Sequence, residues 1–414
     1  MKTQLCAAAA ATLILFAPAA SFATNGYFSH GYGIRSQAVA GVGYALAQDA
    51  LAAATNPAGT ALVGDRLDLD VTLLHTERGT SIGGVDYDGN GTKDFFMPEF
   101  GYTRKLNDRL SVGLAAYGNG GMNTDYATNP FGNTTLFGSA GVSFKQYFVT
   151  PSLAYKISPS QSIGIGVNFA YQTFSAKGLG SFDNALISYS AFPGYVTDRG
   201  TDSATGWGLK LGWIGKVTPD ITVGASWSSK IKTSAFDKYK GLFAEGGNFD
   251  IPATYGAGIA WQATPKWTLA ADWQRIEYSS FNSGGNPMQN LLAGELLGSL
   301  DGPGFGWKDV SVIKFGVVHK YNDNLTLRAG YSHCQHGIPS NQTFFNILCP
   351  GVVQDHYSLG ASVKTTSSSE LSVSYVYVPK ETVYGKNSNP FGFGSEVNIH
   401  MNEQLFSLGY SKTF

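Results

Sequence analysis

The stretch Ile163-Gly164-Ile165-Gly166-Val167-Asn168-Phe169-Ala170-Tyr171 puts a large apolar side chain at every second position and a small or polar one between. Successive side chains of a strand point to opposite faces, so this period makes one greasy face and one small or polar face. Leu67, Leu69, Val71 and Leu73 repeat it against Asp68, Asp70 and Thr72. It returns at Ile221, Val223, Ala225 and Trp227, and at Leu371, Val373, Tyr375 and Tyr377. A strand between lipid and a lumen needs that alternation. A β-sandwich needs it too, so the period alone leaves two architectures open.

The links between strands separate them. Short polar links fall at Asn107-Asp108, residues 158–161, Thr218-Pro219-Asp220, residues 263–266, Asn322-Asp323 and residues 366–369. Long links, such as residues 232–252 and 278–309, lie between. Short turns at one end and long loops at the other is the layout of an outer-membrane barrel. Six tight turns make six strand pairs; a strand near residues 66–74 and one near 403–414 bring the count to 14. An even number closes an antiparallel barrel. The expected fold is therefore all-β, a 14-stranded antiparallel transmembrane barrel. Six of the seven Trp share the apolar phase, as an interfacial girdle requires: Trp207, Trp213, Trp227, Trp261, Trp267 and Trp273.

Composition agrees. Charged residues are 14% of the chain, well under the roughly 25% of a soluble domain. Basic and acidic residues number 28 and 29, and no basic tract suggests nucleic acid. Met1-Lys2, an apolar run from Leu5 to Ala20 and then Ser21-Phe22-Ala23 read as a secretory leader cut after Ala23. We divide the chain into a signal peptide (1–23), an N-terminal plug (24–65) and the barrel (66–414). The plug does not alternate. Its Ala-rich part, residues 37–55, reads as short helix stopped by Asn56-Pro57. The lumen is the natural place for it, because a barrel this wide otherwise encloses a water-filled channel.

The chain resembles the FadL family of outer-membrane transporters for hydrophobic compounds. Carrying the resemblance are Asn25-Gly26-Tyr27-Phe28, residues 50–54, Asn56-Pro57-Ala58-Gly59, Pro98-Glu99-Phe100-Gly101-Tyr102, Trp307-Lys308-Asp309 and Leu327-Arg328-Ala329-Gly330. The resemblance implies capture of an apolar ligand by the long loops, a pocket closed below by the plug, and a side opening at a kinked third strand. Here that strand runs into Gly118, Gly120 and Gly121, which can bend it. Asn56, with Pro57 and Ala58, is expected to gate by pairing backbone groups that the bend frees. The implied ligand is a long-chain fatty acid or a monoaromatic hydrocarbon, taken up passively. A monomer is also implied, set in outer-membrane lipid and lipopolysaccharide. The last strand, with Phe406, Leu408, Tyr410 and Phe414, resembles the signal read by the barrel-insertion machinery; Lys412 departs from it.

A fatty acid's carboxylate needs a cation in an apolar pocket. Lys308 and Arg328 are the favoured pair; Lys210 and Lys314 also fall on the lumen phase. Phe236, Phe243, Leu292 and Leu296 are candidates for the capture patch, the two Leu within an amphipathic helix over residues 287–300. No cofactor is required. Asp86, Asp88, Asn90 and Asp94 have the spacing of a calcium loop, although Met97 replaces its final Glu. Cys334 and Cys349, in one external loop, are expected to form a disulfide. Rival readings are a general porin, which wants an open polar lumen, and a surface barrel enzyme, which wants a nucleophile and base in reach. No Ser/His/Asp arrangement stands out, so no enzyme is expected.

Overall fold

The computed structural model describes residues 25–392 and 395–414. The leader and the cut after Ala23 lie outside them. The strands are β1 (Arg66–Ile82), β2 (Val85–Asp88), β3 (Asp94–Lys105), β4 (Leu110–Tyr126), β5 (Ala140–Ser158), β6 (Gln161–Lys177), β7 (Asp202–Lys216) and β8 (Ile221–Ser228). They continue as β9 (Thr254–Thr264), β10 (Trp267–Ile276), β11 (Val310–Lys320), β12 (Leu325–Cys334), β13 (Asp355–Lys364), β14 (Ser369–Val383) and β15 (Val397–Thr413). Short β2 only folds back on the end of β1. Among the described residues, the other 14 form one antiparallel sheet that closes where β15 meets β1. Closure gives each of the 14 strands a neighbour on both sides, which is how a sheet in lipid meets its backbone groups.

All six tight turns fall between strands of the wall: β3–β4, β5–β6, β7–β8, β9–β10, β11–β12 and β13–β14. The apolar phase faces out. Leu69, Val71, Ile163, Ile165 and Phe169 are exposed, as are Trp207, Trp227, Trp261, Trp267 and Trp273. Asp68, Asp70, Thr72 and Thr76 point inward and are buried. The first strand is longer than its apolar pattern, running to Ile82 because pairing with β15 continues past Leu74. The outward side chains there are His75 and Glu77, so the wall has risen above the apolar belt.

The plug fills the lumen, but the expected helix over residues 37–55 is not formed. There is one turn at Ile34–Gln37, another at Ala52–Thr55 and a 3₁₀ segment at Pro57–Ala61. The physical reason lies in the wall, whose charged side chains take the plug's backbone groups. Asp70 and Glu99 accept from the N–H groups of Ile34 and Gly33, at 3.1 and 2.9 Å. Asp68 accepts from Ala50 at 2.8 Å, and Asp272 from Gly43 and Tyr44 at 2.7 and 3.0 Å. Lys210 donates to the Ala54 carbonyl at 2.5 Å; Lys314 donates to those of His30 and Gly41 at 2.9 and 3.2 Å. Backbone groups held this way have no need of a helix. Small lumen-facing residues let the plug come close. A Cβ on Gly164 would lie 2.3 Å from the Ala58 nitrogen.

Candidate transport site

The wall is not uniformly zipped. β3 and β4 pair only from Lys105 with Ser111 to Phe100 with Ala116. Above Ala116, β4 leaves β3 and stays paired with β5, with a bulge between Gly118 and Gly120. A bulge adds one unpaired residue and bends its strand. That residue is Asn119, and Gly118, Gly120 and Gly121 flank it.

The backbone groups freed on β4 are met from inside. The Ser29 N–H donates to the Asn119 carbonyl at 3.0 Å, and the Gly121 N–H to the Tyr27 carbonyl at 2.9 Å. The Tyr32 hydroxyl donates to Asn119 Oδ1 at 2.6 Å. A Cβ on Gly120 would sit 2.3 Å from the Tyr27 carbonyl oxygen, so only glycine admits this approach. The partner of the kink is thus the Asn25–Ser29 segment and not Asn56. Asn56 lies elsewhere. Its amide donates to the carbonyls of Tyr44 (2.8 Å), Trp213 (3.1 Å) and Ala225 (3.3 Å), and its Oδ1 accepts from Ala58. It fastens the plug to β7 and β8, where Pro57 and Ala58 lead into the 3₁₀ segment.

Three cavities line up inside. The first lies among the loops, lined by Phe131, Phe174, Phe182, Phe243, Leu297 and Phe305. Met122 is common to it and to a second apolar cavity. The second is walled by Tyr27, Arg78, Phe95, Asn123, Tyr278 and Trp307. Phe95 and Asn123 also border an open groove between β3 and β4 on the outer side of the wall, so the second cavity abuts the unzipped seam. Tyr27 and Tyr278 form its floor, and Phe28, packed against both, faces the chamber beyond. Tyr27 packs within 6 Å of Phe28, Tyr278 and Trp307, and the Tyr278 hydroxyl, bonded to the Asn25 carbonyl, accepts from the Phe28 N–H. Below lies a polar chamber lined by His30, Asn168, Lys210, Ser228, Gln274 and Lys314 among others, with no Asp or Glu among the described residues of its lining.

Several expected sites are rearranged. Lys308 is exposed at the loop end, whereas Arg328 lies low in the lumen, bonded to Gln48 and Ser362 at 2.9 and 2.7 Å. They form no clamp, because they sit at opposite ends of the barrel. Phe236 and Phe243 are buried against Phe174 and form the core of the loops, not an exposed patch. Leu292 and Leu296 are exposed, but residues 287–300 form only a short 3₁₀ turn, Met288–Asn290. Gly294 and Gly298, both at positive φ, break the helix.

The expected disulfide is absent: Cys334 and Cys349 are both free and buried. Each thiol instead turns to a nearby oxygen, Cys334 to the Gln335 carbonyl and Cys349 to Asn346 Oδ1. The calcium-like spacing does not fold into a cage. Asp86 and Asp88 are on β2, Asn90 accepts from the Arg78 N–H, and Asp94 bonds His75 at 2.7 Å. Among the described residues, no three His, Cys, Asp or Glu converge to hold a metal ion.

Residues 9–414 match the family of outer membrane protein transport proteins, OMPP1/FadL/TodX. The chain belongs to this family. It is a multi-pass protein of the outer membrane and a transporter of hydrophobic compounds. Outer membrane protein P1 of Haemophilus influenzae is 22% identical over 89% of each chain. The fold is shared with a FadL homologue from Pseudomonas aeruginosa (TM-score 0.70, 19% identity, 94% of this chain and 100% of that one). It is shared too with the toluene transporter TodX of P. putida (0.69, 18%, 93% and 99%). The toluene transporter TbuX of Ralstonia pickettii is similar (0.66, 19%, 93% and 99%). Within this FadL-family chain, sequence reasoning missed the floor and Arg78. Tyr27 stood in a quoted motif, and Arg78 continues the inward phase of Asp68 to Thr76, so both carried a signal.

Proposed function

We propose that this protein admits long-chain fatty acids through the unzipped β3–β4 seam, by passive flow and without a cofactor or a chemical step. The observation that carries the reading is the order of the cavities. Two apolar ones lead from the loops and the seam to a polar chamber with two buried lysines and a histidine but no acid among the described residues of its lining. The acyl chain has apolar surface along the upper path. Its carboxylate finds Lys210 and Lys314 below the Tyr27 floor, where charge-assisted bonds can replace their bonds to plug carbonyls. Exchanging those bonds would also loosen the plug toward the periplasm.

A second reading is uptake of monoaromatic hydrocarbons, favoured by the aromatic lining of the upper cavities and by the fold shared with the toluene transporters. A toluene-like ligand has no use for the lysines. In either case the protein acts as a monomer within lipid and lipopolysaccharide, placed by the barrel-insertion machinery and independent of nucleic acid. The test is uptake of labelled oleate and labelled toluene by cells lacking their own transporter. Oleate uptake that falls about tenfold or more in Lys210→Met/Lys314→Met supports the first reading. Toluene uptake unchanged by that pair, with no oleate uptake in wild type, moves the protein to the second. Leakage of sugars instead of either ligand would return it to the general porins.

A further inference from the structure

The unzipped seam is held from inside by an arginine, below the ties that its upper rim makes from Gly89, Gly91 and Thr92 to Asp125. Arg78 stands on the inward face of β1 and is 2% exposed. Its guanidinium reaches both edges of the opening. On the β4 side, Nε donates to the Asn123 carbonyl at 2.7 Å and Nη2 donates to Asn123 Oδ1. On the β3 side, Nη2 donates to the Thr92 carbonyl at 2.5 Å. Nη1 returns to Thr76 on its own strand at 3.0 Å. The guanidinium carbon lies 5.7 Å from the centre of the Phe95 ring, near the usual reach of a cation–π contact. Asn123 is in turn tied to β5, its amide donating to the Val142 carbonyl at 3.0 Å.

The chemistry of these bonds matters more than their number. All four acceptors are neutral amide oxygens. The two oxygens of Asn123 occupy the Nε–Nη2 edge, the fork on which guanidinium takes a carboxylate bidentately. Charge-assisted bonds are roughly twice as strong as neutral ones. A carboxylate in the apolar cavity beside Arg78 therefore competes for the edge that holds Asn123, and a neutral ligand does not. Arg78, Phe95 and Asn123 all line that cavity, and Phe95 and Asn123 also face the outer groove.

We propose that Arg78 is the latch of the side opening, released when an acyl carboxylate takes the place of the two Asn123 oxygens. This rests on the fatty-acid reading above and adds a discriminating residue to it. The headgroup then opens its own way, and neutral hydrocarbons of equal length meet a closed seam. The upper rim keeps its own ties while the latch opens: the Asp125 N–H donates to Gly89, Gly91 donates to Asp125, and Lys177 pairs with Asp125 at 2.7 Å.

The experiment compares uptake of oleate with that of oleyl alcohol, which has the same chain and no charge. Wild type is expected to favour oleate by about tenfold. In Arg78→Gln the ratio should fall toward one, chiefly because oleyl alcohol uptake rises. Asn123→Ala keeps the arginine and should likewise raise oleyl alcohol uptake, which covers the case in which Arg78→Gln does not fold. A wild-type ratio that persists in both variants overturns the latch. If wild type takes up neither compound, the transport reading has failed, and the latch is read on the purified protein instead. Oleate, and not oleyl alcohol, should speed amide hydrogen exchange at Thr92 and Asn123; equal exchange with both overturns it.

Discussion

Two seams of the barrel invite comparison. β1 and β15 are paired along their full length, from Arg66 with Thr413 to Ile82 with Val397. β3 and β4 are paired for a third of that and then part. β1, β4 and β15 each run 17 residues and β3 runs 12, twice what it pairs with β4, so strand length is not the cause. The difference lies in a few residues. Asn119 adds a bulge, Pro98 has no N–H to offer, and Gly120 allows the Asn25–Ser29 segment to approach. A β4 backbone that would be costly to leave unpaired is satisfied by the plug instead of the wall. An opening in a membrane sheet is thus made by supplying a second partner, not by omitting the first.

The largest expected effect comes from making the broken seam resemble the intact one. Deleting Asn119 removes the bulge and restores register above Ala116. Oleate uptake should fall by about tenfold or more, while the barrel keeps its heat-resistant mobility on gels. Uptake at the wild-type rate would mean that ligand enters through the loops alone. The converse change is Leu408→Pro in β15, which strikes the intact seam. It removes a ladder bond in mid-sheet and should destabilise the barrel by about 1–3 kcal/mol, with no gain in uptake. Loss of heat-resistant mobility is the readout. A gain in oleate uptake would mean that any gap serves.

Asn56→Ala should cost the plug about 3 kcal/mol, since four hydrogen bonds go with the amide. Because Asn56 touches β7 and β8 and not β4, channel recordings should show a new leak. The oleate to oleyl alcohol ratio should stay at its wild-type value. A changed ratio would tie Asn56 to the side opening after all.

The smallest effect concerns pH. Burial, and then Asp68, push the carboxyl of Asp49 in the plug up to about 6, with Arg35 and Arg66 pulling the other way. A carboxyl raised on docking takes up a proton that the free chain would release. The docked plug is therefore relatively favoured below the ordinary carboxyl value of 3.8, and that advantage is lost as pH rises from there through about 6. Exchange at the Leu51 amide, which donates to Asp49, should be slower at pH 5 than the intrinsic pH trend predicts. Asp49→Asn should remove that dependence.

The sequence by itself determined the wall. Period two at Leu67–Leu73 and Ile163–Tyr171, together with six polar turns, set the strand count, the outward face and the membrane. Those properties follow from local geometry, because alternate side chains on a strand must face opposite solvents. The bulged third wall strand was legible too, since glycines beside a polar residue mark where a ladder can bend. What fills the lumen was not. The Ala-rich segment reads as helix by local propensity, but Asp68, Asp70, Glu99, Asp272, Lys210 and Lys314 hold it by its backbone. Lys308 and Arg328 could not be separated by phase, because phase tells inward from outward and not height along the barrel. Nor could spacing tell that Asn56 grips β7 while Tyr27 meets β4. Such contacts join residues 87 to 250 positions apart, such as Tyr32 with Asn119 and Phe28 with Tyr278. Only closure of the sheet around the plug brings them together.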